Sequence, residues 1–254
     1  MKFPRCRESG QHLCWPTRLL PVGILGDLNA LAGLVWRADC VCCGRMQALP
    51  AGVAVGEQLC EECGLQLMHP WQRWQPRVAA VPVFVSGTYG GARRMLILSA
   101  KERLRPAAIG VAGRLLAAGI LHVSGLGLVP DPRWGRVRLV PAPTRRSAAR
   151  HRGGDIVTRF CHAAAELYPR VEVCPVAWLD ESSVDSVGLD RHQRRENVAR
   201  NILFDPVAVG RLRGADEVVI VDDVCTTGAT TAQFAFALSA HGVRPRLALV
   251  LAGA

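Results

Sequence analysis

The sequence predicts an α/β protein in which a parallel sheet flanked by helices fills residues 81–254, behind a small cysteine-rich module. Three observations carry this reading. From Val81 to Leu251 short apolar strands alternate with amphipathic helices, the pattern of βαβ units. One of those strands, Val218–Val221, is wholly β-branched, as suits a strand buried on both faces. Five of the ten cysteines fall within 24 positions, Cys40 to Cys63. That clustering points to a metal site in a reducing compartment rather than a disulfide framework.

In chain order, residues 1–22 carry scattered Arg, Cys and Pro without periodicity and are expected to be a poorly ordered leader. Residues 23–70 are expected to form a helix plus the cysteine module. Leu25, Leu28, Leu31, Ala32 and Val35 follow helical spacing, and Leu65, Leu67 and Met68 suggest a short helix stopped by Pro70. The apolar run Leu19–Trp36 contains Pro21, Asp27 and Asn29, so it reads as an amphipathic helix on the domain and not as a membrane span. Residues 71–80, with Trp71, Trp74 and Pro76, read as a linker; the tryptophans either pack it down or stack a base. Strand is then expected at Val81–Tyr89, helix at Arg93–Lys101 and Ile109–Leu121, and strand at Val137–Pro141. Helix follows at Asp155–Leu167, strand at Val171–Leu179 and Val218–Val221, helix at Thr230–His241, and a last strand at Leu247–Leu251.

The net charge of +10 suggests an anionic partner. Lys2 and Lys101 are the only lysines among 31 basic residues. The excess of Arg, Ala, Val and Gly has the look of a GC-rich genome, so nucleic acid, nucleotide phosphates and plain solubility all stay open.

Cys40-x-x-Cys43 and Cys60-x-x-Cys63 are two knuckles 16 residues apart. Such pairs make a closed tetrahedral thiolate site, the arrangement of structural zinc. Gly44 and Gly64 follow the second cysteine of each pair and are expected to allow the knuckle turns. Cys42 breaks the spacing and is left out. Free thiols or a redox pair are the alternatives.

The most informative segment runs from Val218 to Thr231. A buried strand ends in Asp222 and Asp223, at the edge where open α/β sheets bind ligands. Then Thr226, Thr227, Gly228, Ala229 and Thr230 form a small hydroxyl-rich loop opening a helix. Backbone N–H groups at a helix start suit a phosphate. Two carboxylates would repel that phosphate, so they must face something else: vicinal sugar hydroxyls, or a magnesium ion held with them. A phosphate site beside a diol site describes a ribose 5-phosphate binder. The loop is neither a Walker A sequence nor a dinucleotide fingerprint. Cys225 lies inside it, where helix amides can lower a thiol pKa.

Between Arg133 and Arg159 stand eight arginines against one acid, Asp155. The stretch carrying Arg145, Arg146, Arg150 and Arg152 reads as a pyrophosphate loop, a nucleic-acid backbone contact or a solvated basic loop.

The 218–231 segment resembles the 5-phosphoribosyl-1-pyrophosphate (PRPP) signature of type I phosphoribosyltransferases. Tyr89, Gly91, Arg94, Leu96, Ile97 and Lys101 resemble a block of the ComF family of competence-related proteins. So do Leu139–Pro143 with Arg145 and Arg152-Gly153, and so do Leu189, Arg194 and Asn197. Two positions depart from that pattern: Gly154-Asp155 replaces Phe-Asn, and Ser186 replaces Gln. The resemblance implies a type I phosphoribosyltransferase-like sheet with an N-terminal zinc module. It implies that Asp222 and Asp223 contact ribose hydroxyls, and that Thr226, Thr227, Gly228, Ala229 and Thr230 hold the 5′-phosphate. Arg145, Arg152, Lys101 and Arg194 become candidates for the pyrophosphate. PRPP, with magnesium, or a ribonucleoside monophosphate is the implied ligand, and the cytoplasm the implied compartment. Two functions follow: phosphoribosyl transfer with release of pyrophosphate, or a non-catalytic nucleotide- or single-stranded-DNA-handling role in DNA uptake.

Overall fold

The computed structural model describes residues 39–46, 59–151, 154–180, 201–215 and 217–254. Its elements are α1 (Glu61–Leu67), β1 (Gln72–Trp74), β2 (Val83–Val85), α2 (Gly91–Lys101), α3 (Pro106–Gly125), β3 (Val137–Pro141), α4 (Arg146–His151), α5 (Ile156–Ala165), β4 (Val171–Val173), β5 (Ala177–Leu179), β6 (Ile202–Phe204), α6 (Pro206–Gly210), β7 (Val218–Cys225), α7 (Ala229–Ala240) and β8 (Leu247–Gly253).

Six strands form one sheet in the order β1-β2-β8-β7-β3-β4, parallel throughout except for β1 at the edge. Side chains alternate across it with period two. Val219, Val221, Leu247 and Leu249 join Leu96, Leu116 and Phe160 from α2, α3 and α5. Val218, Ile220, Ala248 and Val250 join Phe234 and Leu238 of α7 on the other face. All seven residues of β8 are buried. This is the α/β class expected, a mostly parallel sheet with helices on both sides.

α3 is the one described helix long and apolar enough to cross a membrane, and 61% of its apolar window is buried inside the fold. A Cβ added at Gly113 would lie 2.4 Å from the Ala163 Cβ on α5, and one at Gly119 would lie 2.6 Å from the Trp71 ring. Two glycines thus let a neighbouring helix and an indole approach its backbone closely.

Several expectations need correcting. The stretch 71–80 is no mere linker, because residues 72–74 pair with β2 as the antiparallel edge strand. Trp71 is buried and its indole N–H donates to the Leu115 carbonyl at 3.2 Å. The strand expected over Val171–Leu179 divides in two. β4 stays in the main sheet, whereas β5 pairs antiparallel with β6 in a separate two-stranded sheet. Pro175 lies between them, and a residue without an N–H cannot continue the ladder. β7 runs on to Cys225, four residues past the expected end, and so carries both aspartates within the strand.

Asp180 N–H donates to the Asn201 carbonyl at 2.8 Å, so β5 and β6 bring together the two ends of segment 181–200. That segment, with Ser186, Leu189, Arg194 and Asn197, lies outside the described residues. So do the leader, the helix expected around Leu25–Val35, and Arg152-Gly153.

Candidate functional site

β7 delivers Asp222 and Asp223 to the C-terminal end of the parallel sheet and leads into the loop 226–228 and helix α7. The two carboxylates differ sharply. Asp222 is half-buried, and the backbone N–H of Asp223 donates to its Oδ1 at 2.8 Å. Asp223 is 8% exposed and forms an ion pair through Oδ2 with the Lys101 ammonium. Loss of water around Asp222, then the charge of Asp223, push its pKa up to about 7 against the opposing pull of the Asp223 amide and Lys101, with Asp155 adding to the rise. A carboxyl poised there switches charge near neutrality.

Gly228 N-caps α7 in the left-handed region (φ 79°, ψ 0°), with no capping side chain. The first N–H groups of a helix have no partner within it. Thr226, Thr227 and Thr230 are exposed and Ala229 is half-buried. The loop therefore combines the positive helix end and hydroxyls on one surface, with the Ala229 N–H donating to the Thr227 hydroxyl at 3.4 Å.

One wall of this loop is invisible to local reading. The Val78 N–H donates to the Thr227 carbonyl at 3.0 Å. A Cβ at Gly228 would lie 2.1 Å from the Val78 carbonyl oxygen and 2.7 Å from the Pro76 Cβ. The arm joining β1 to β2 thus lies directly on the loop 226–228, and Gly228 is needed for this contact as well as for its dihedral. Beside it, Trp74 packs on Gly253, and its buried indole N–H has no acceptor among the described residues.

Cys225 is buried, and burial followed by the charge of Asp222 pushes its thiol up to about 11, despite an opposing hydrogen bond from the Gly228 backbone. The lowering that helix amides can give is outweighed here by desolvation, so the thiol stays protonated at neutral pH.

Among the described residues, several arginines of 133–159 are paired with acids. Arg133 pairs with Asp131, Arg136 with Glu172, and Arg138 with both Glu172 and Glu217. Arg136 and Arg138 lie where β3 begins. Arg145 lies past its other end, where the loop bridges to Leu179. Arg146 stacks over Trp178 with its guanidinium carbon 3.8 Å from the ring centroid. Asp155, a departure from the ComF pattern, is the N-cap of α5: it accepts from the Thr158 N–H at 2.9 Å and from the Thr144 hydroxyl at 3.0 Å. Aspartate and asparagine cap helices about equally well, so this departure fits the local fold. Lys101, one of the pyrophosphate candidates, forms an ion pair with Asp223.

The second candidate site is the cysteine cluster. The four Sγ atoms of Cys40, Cys43, Cys60 and Cys63 lie within 4.8 Å of one another, with Cys43 and Cys60 3.6 Å apart. A tetrahedron with zinc–sulfur bonds of about 2.3 Å has edges of about 3.8 Å, so four thiols gathered this closely could hold a zinc ion. Burial opposes ionisation of Cys40, but hydrogen bonds from the backbone of Cys60, Cys43 and Cys42 outweigh it and bring its pKa down to about 6. Cys42 is pushed up to about 12, by burial first and then by the charges of Cys40 and Cys43. It stays a neutral core thiol, in keeping with its omission from the ligand set. Gly44 has the left-handed φ of 74° that its turn requires, whereas Gly64 sits inside α1. The second knuckle is a helix start, capped at Cys60, and not a glycine turn.

The module is bolted to the domain. Arg105 grips Asp39 with two charge-assisted bonds of 2.9 and 3.1 Å. The Ser99 hydroxyl donates to the Val41 carbonyl at 2.5 Å, and Ala92 N–H donates to the Gln66 side chain at 3.0 Å.

No family model and no curated protein matches the chain. Among solved structures, a Trypanosoma cruzi hypoxanthine phosphoribosyl transferase aligns at 15% identity and a TM-score of 0.35, over 56% of this chain and 62% of that one. An HPRT in which an invariant aspartic acid is replaced by glutamic acid aligns at 15% identity and a TM-score of 0.34, over 56% and 64%. A substituted T. cruzi hypoxanthine phosphoribosyltransferase complexed with its product IMP aligns at 15% and 0.33, over 56% and 62%. In each case the alignment spans less than two thirds of the other protein's length.

Proposed function

We propose that the chain binds a ribose 5-phosphate group, as PRPP or a ribonucleoside monophosphate, and is a ComF-like protein of the type I phosphoribosyltransferase kind. The observation that carries this reading is the run from β7 into α7. Two adjacent carboxylates and, a few residues on, a glycine-capped helix start stand at the C-terminal edge of one parallel sheet. Carboxylates suit a diol and a helix start suits a phosphate, which supports the reading.

In the transfer reaction a nitrogen nucleophile displaces pyrophosphate from C1 of the ribose, the C1–O bond breaking as the C1–N bond forms. The chain's own part is to hold the ribose by its hydroxyls and its 5′-phosphate, so that C1 faces the strand ends. Arg145 stands at the mouth of the β3–α4 loop, where a guanidinium suits a pyrophosphate. Magnesium would supply further charge neutralisation to that leaving group. The metal module holds the fold and takes no part in the chemistry. A reducing cytoplasm suits its four thiols.

The non-catalytic reading, in nucleotide or single-stranded-DNA handling, draws on the ComF likeness and on the basic stretch of Arg145, Arg146, Arg150 and Arg152. The arginines paired with acids, Arg133, Arg136 and Arg138, lie outside that stretch. Release of pyrophosphate from PRPP across a nucleobase panel separates transfer from mere binding.

Calorimetry with ribose 5-phosphate, PRPP and ribonucleoside monophosphates tests the reading. Asp222→Asn and Asp223→Asn are each expected to weaken binding by about 1.5–3 kcal/mol, the worth of a hydrogen bond to a charged acceptor. Asp222 also carries a pH signature. Its folded pKa stands above the unfolded value of about 3.9. The protonated form is therefore favoured on folding, and that stabilisation is lost as pH rises through about 7. A ligand that needs the ionised acceptor loses affinity as pH falls through the same point. The difference in affinity between wild type and Asp222→Asn should shrink below pH 7 and widen above it. No heat from wild type with any of these ligands at millimolar concentration would refute the ribose-phosphate reading.

A further inference from the structure

Resting on that reading, we propose that Lys101 is a built-in counter-cation of the diol site, standing in for a divalent cation at Asp223 and making ribose 5-phosphate binding independent of magnesium.

Lys101 is the last residue of α2, and its ammonium pairs with Asp223, which is 8% exposed. The Lys101 side chain is itself only 26% exposed. An exposed lysine pair is worth little, but one with a buried carboxylate is screened far less. Without it, two adjacent carboxylates would face an anionic ligand with no other ion pair among the described residues to offset them. With it, one negative charge is already neutralised, and both carboxylates keep oxygen lone pairs for the ribose hydroxyls.

The position of Lys101 is fixed by more than its own pair. The helix that ends in it is held from outside the sheet by Ser99 on the Val41 carbonyl and by Gln66 on the Ala92 amide. Just beyond, Arg105 is locked onto Asp39. Three anchors, on both sides of Lys101, thus fix the backbone that carries it. Any magnesium requirement of PRPP then belongs to its pyrophosphate, at the other end of the sugar.

The test is calorimetric titration of ribose 5-phosphate into wild type, Lys101→Met and Lys101→Arg, each with and without millimolar magnesium chloride. Circular dichroism and thermal unfolding first establish that each variant is folded. Wild type is expected to bind with the same affinity in both buffers. Lys101→Met is expected to lose affinity by about tenfold or more without magnesium, as for a lost charge-assisted contact, and to regain most of it when magnesium is added. Lys101→Arg keeps the charge and should stay magnesium-independent. The inference is overturned if Lys101→Met binds like wild type without magnesium, if its loss is not recovered by magnesium, or if wild type itself needs magnesium. Wild type that binds no ribose 5-phosphate in either buffer overturns the reading of the whole loop, and this inference with it. Wild-type binding with an unaffected Lys101→Met overturns this inference alone.

Discussion

Replacing Cys60 with serine is expected to strip zinc from the chain and unfold the region that carries the cluster. Four thiols already gathered within 4.8 Å form a closed site, and apparent binding energies for structural zinc in small modules run to about 10–16 kcal/mol. Losing one ligand forfeits a large share of that. The damage should spread, because Cys40, Val41 and Cys42 are fully buried in the same core as Leu96, Ile97 and Leu116. Arg105 would also lose its Asp39 partner, and a charge left unpaired in a half-buried site is costly. Metal analysis of reductant-protected protein should give about one zinc per chain for wild type and far less for Cys60→Ser. Thermal unfolding should show a drop of many degrees. Cys42→Ala is the control: it keeps its metal, because Cys42 lies outside the four-thiol group. Wild-type protein purified without zinc, or Cys60→Ser with an unchanged melting temperature, would overturn the assignment.

What the sequence made legible was local. The Cys-x-x-Cys spacings place ligands within one turn of chain, and the β-branched run before Asp222 can hardly be anything but a buried strand. What it hid was long-range. Nothing near Lys101 announces Asp223, far along the chain, although its rarity as a lysine among arginines was a faint signal. The arginine count between 133 and 159 overstated the basic face because two of the neutralising acids, Glu172 and Glu217, come from elsewhere in the chain. Asp131 lay just outside the window counted. The stretch 71–80 hides its strand and its buried indole for a related reason. Its tryptophans and prolines look like a linker, yet Trp71 is buried and fits where Gly119 leaves α3 without a side chain. Gly228 is legible only in part: a glycine at a helix start follows from the loop's own residues, whereas the arm laid across it comes from Pro76 and Val78.

That arm makes Gly228 the position where a small change should do most harm within the phosphate-type loop. Gly228→Val is expected both to abolish ribose 5-phosphate binding and to destabilise the chain by about 2–4 kcal/mol. Part of the cost is conformational, since a β-branched residue is strained at φ 79°. The larger part is collision. The new Cβ would start 2.1 Å from the Val78 carbonyl oxygen, which is backbone and cannot rotate away as a side chain would. Either the loop or the arm must move, and moving the arm breaks the bond from Val78 N–H to the Thr227 carbonyl. Overpacking of this kind costs about 1–3 kcal/mol before the strained dihedral is added. Urea unfolding measures the stability change. A second readout identifies the arm as its cause: Arg77 is exposed, and once the arm is displaced, trypsin should cut between Arg77 and Val78 much faster than in wild type. Gly228→Ala places the same Cβ without the branches and should show the accelerated cleavage with a smaller loss of stability. If Gly228→Val unfolds at the wild-type urea midpoint and trypsin cuts at Arg77 no faster, the arm does not rest on the loop in solution. The glycine would then be required by the ligand alone.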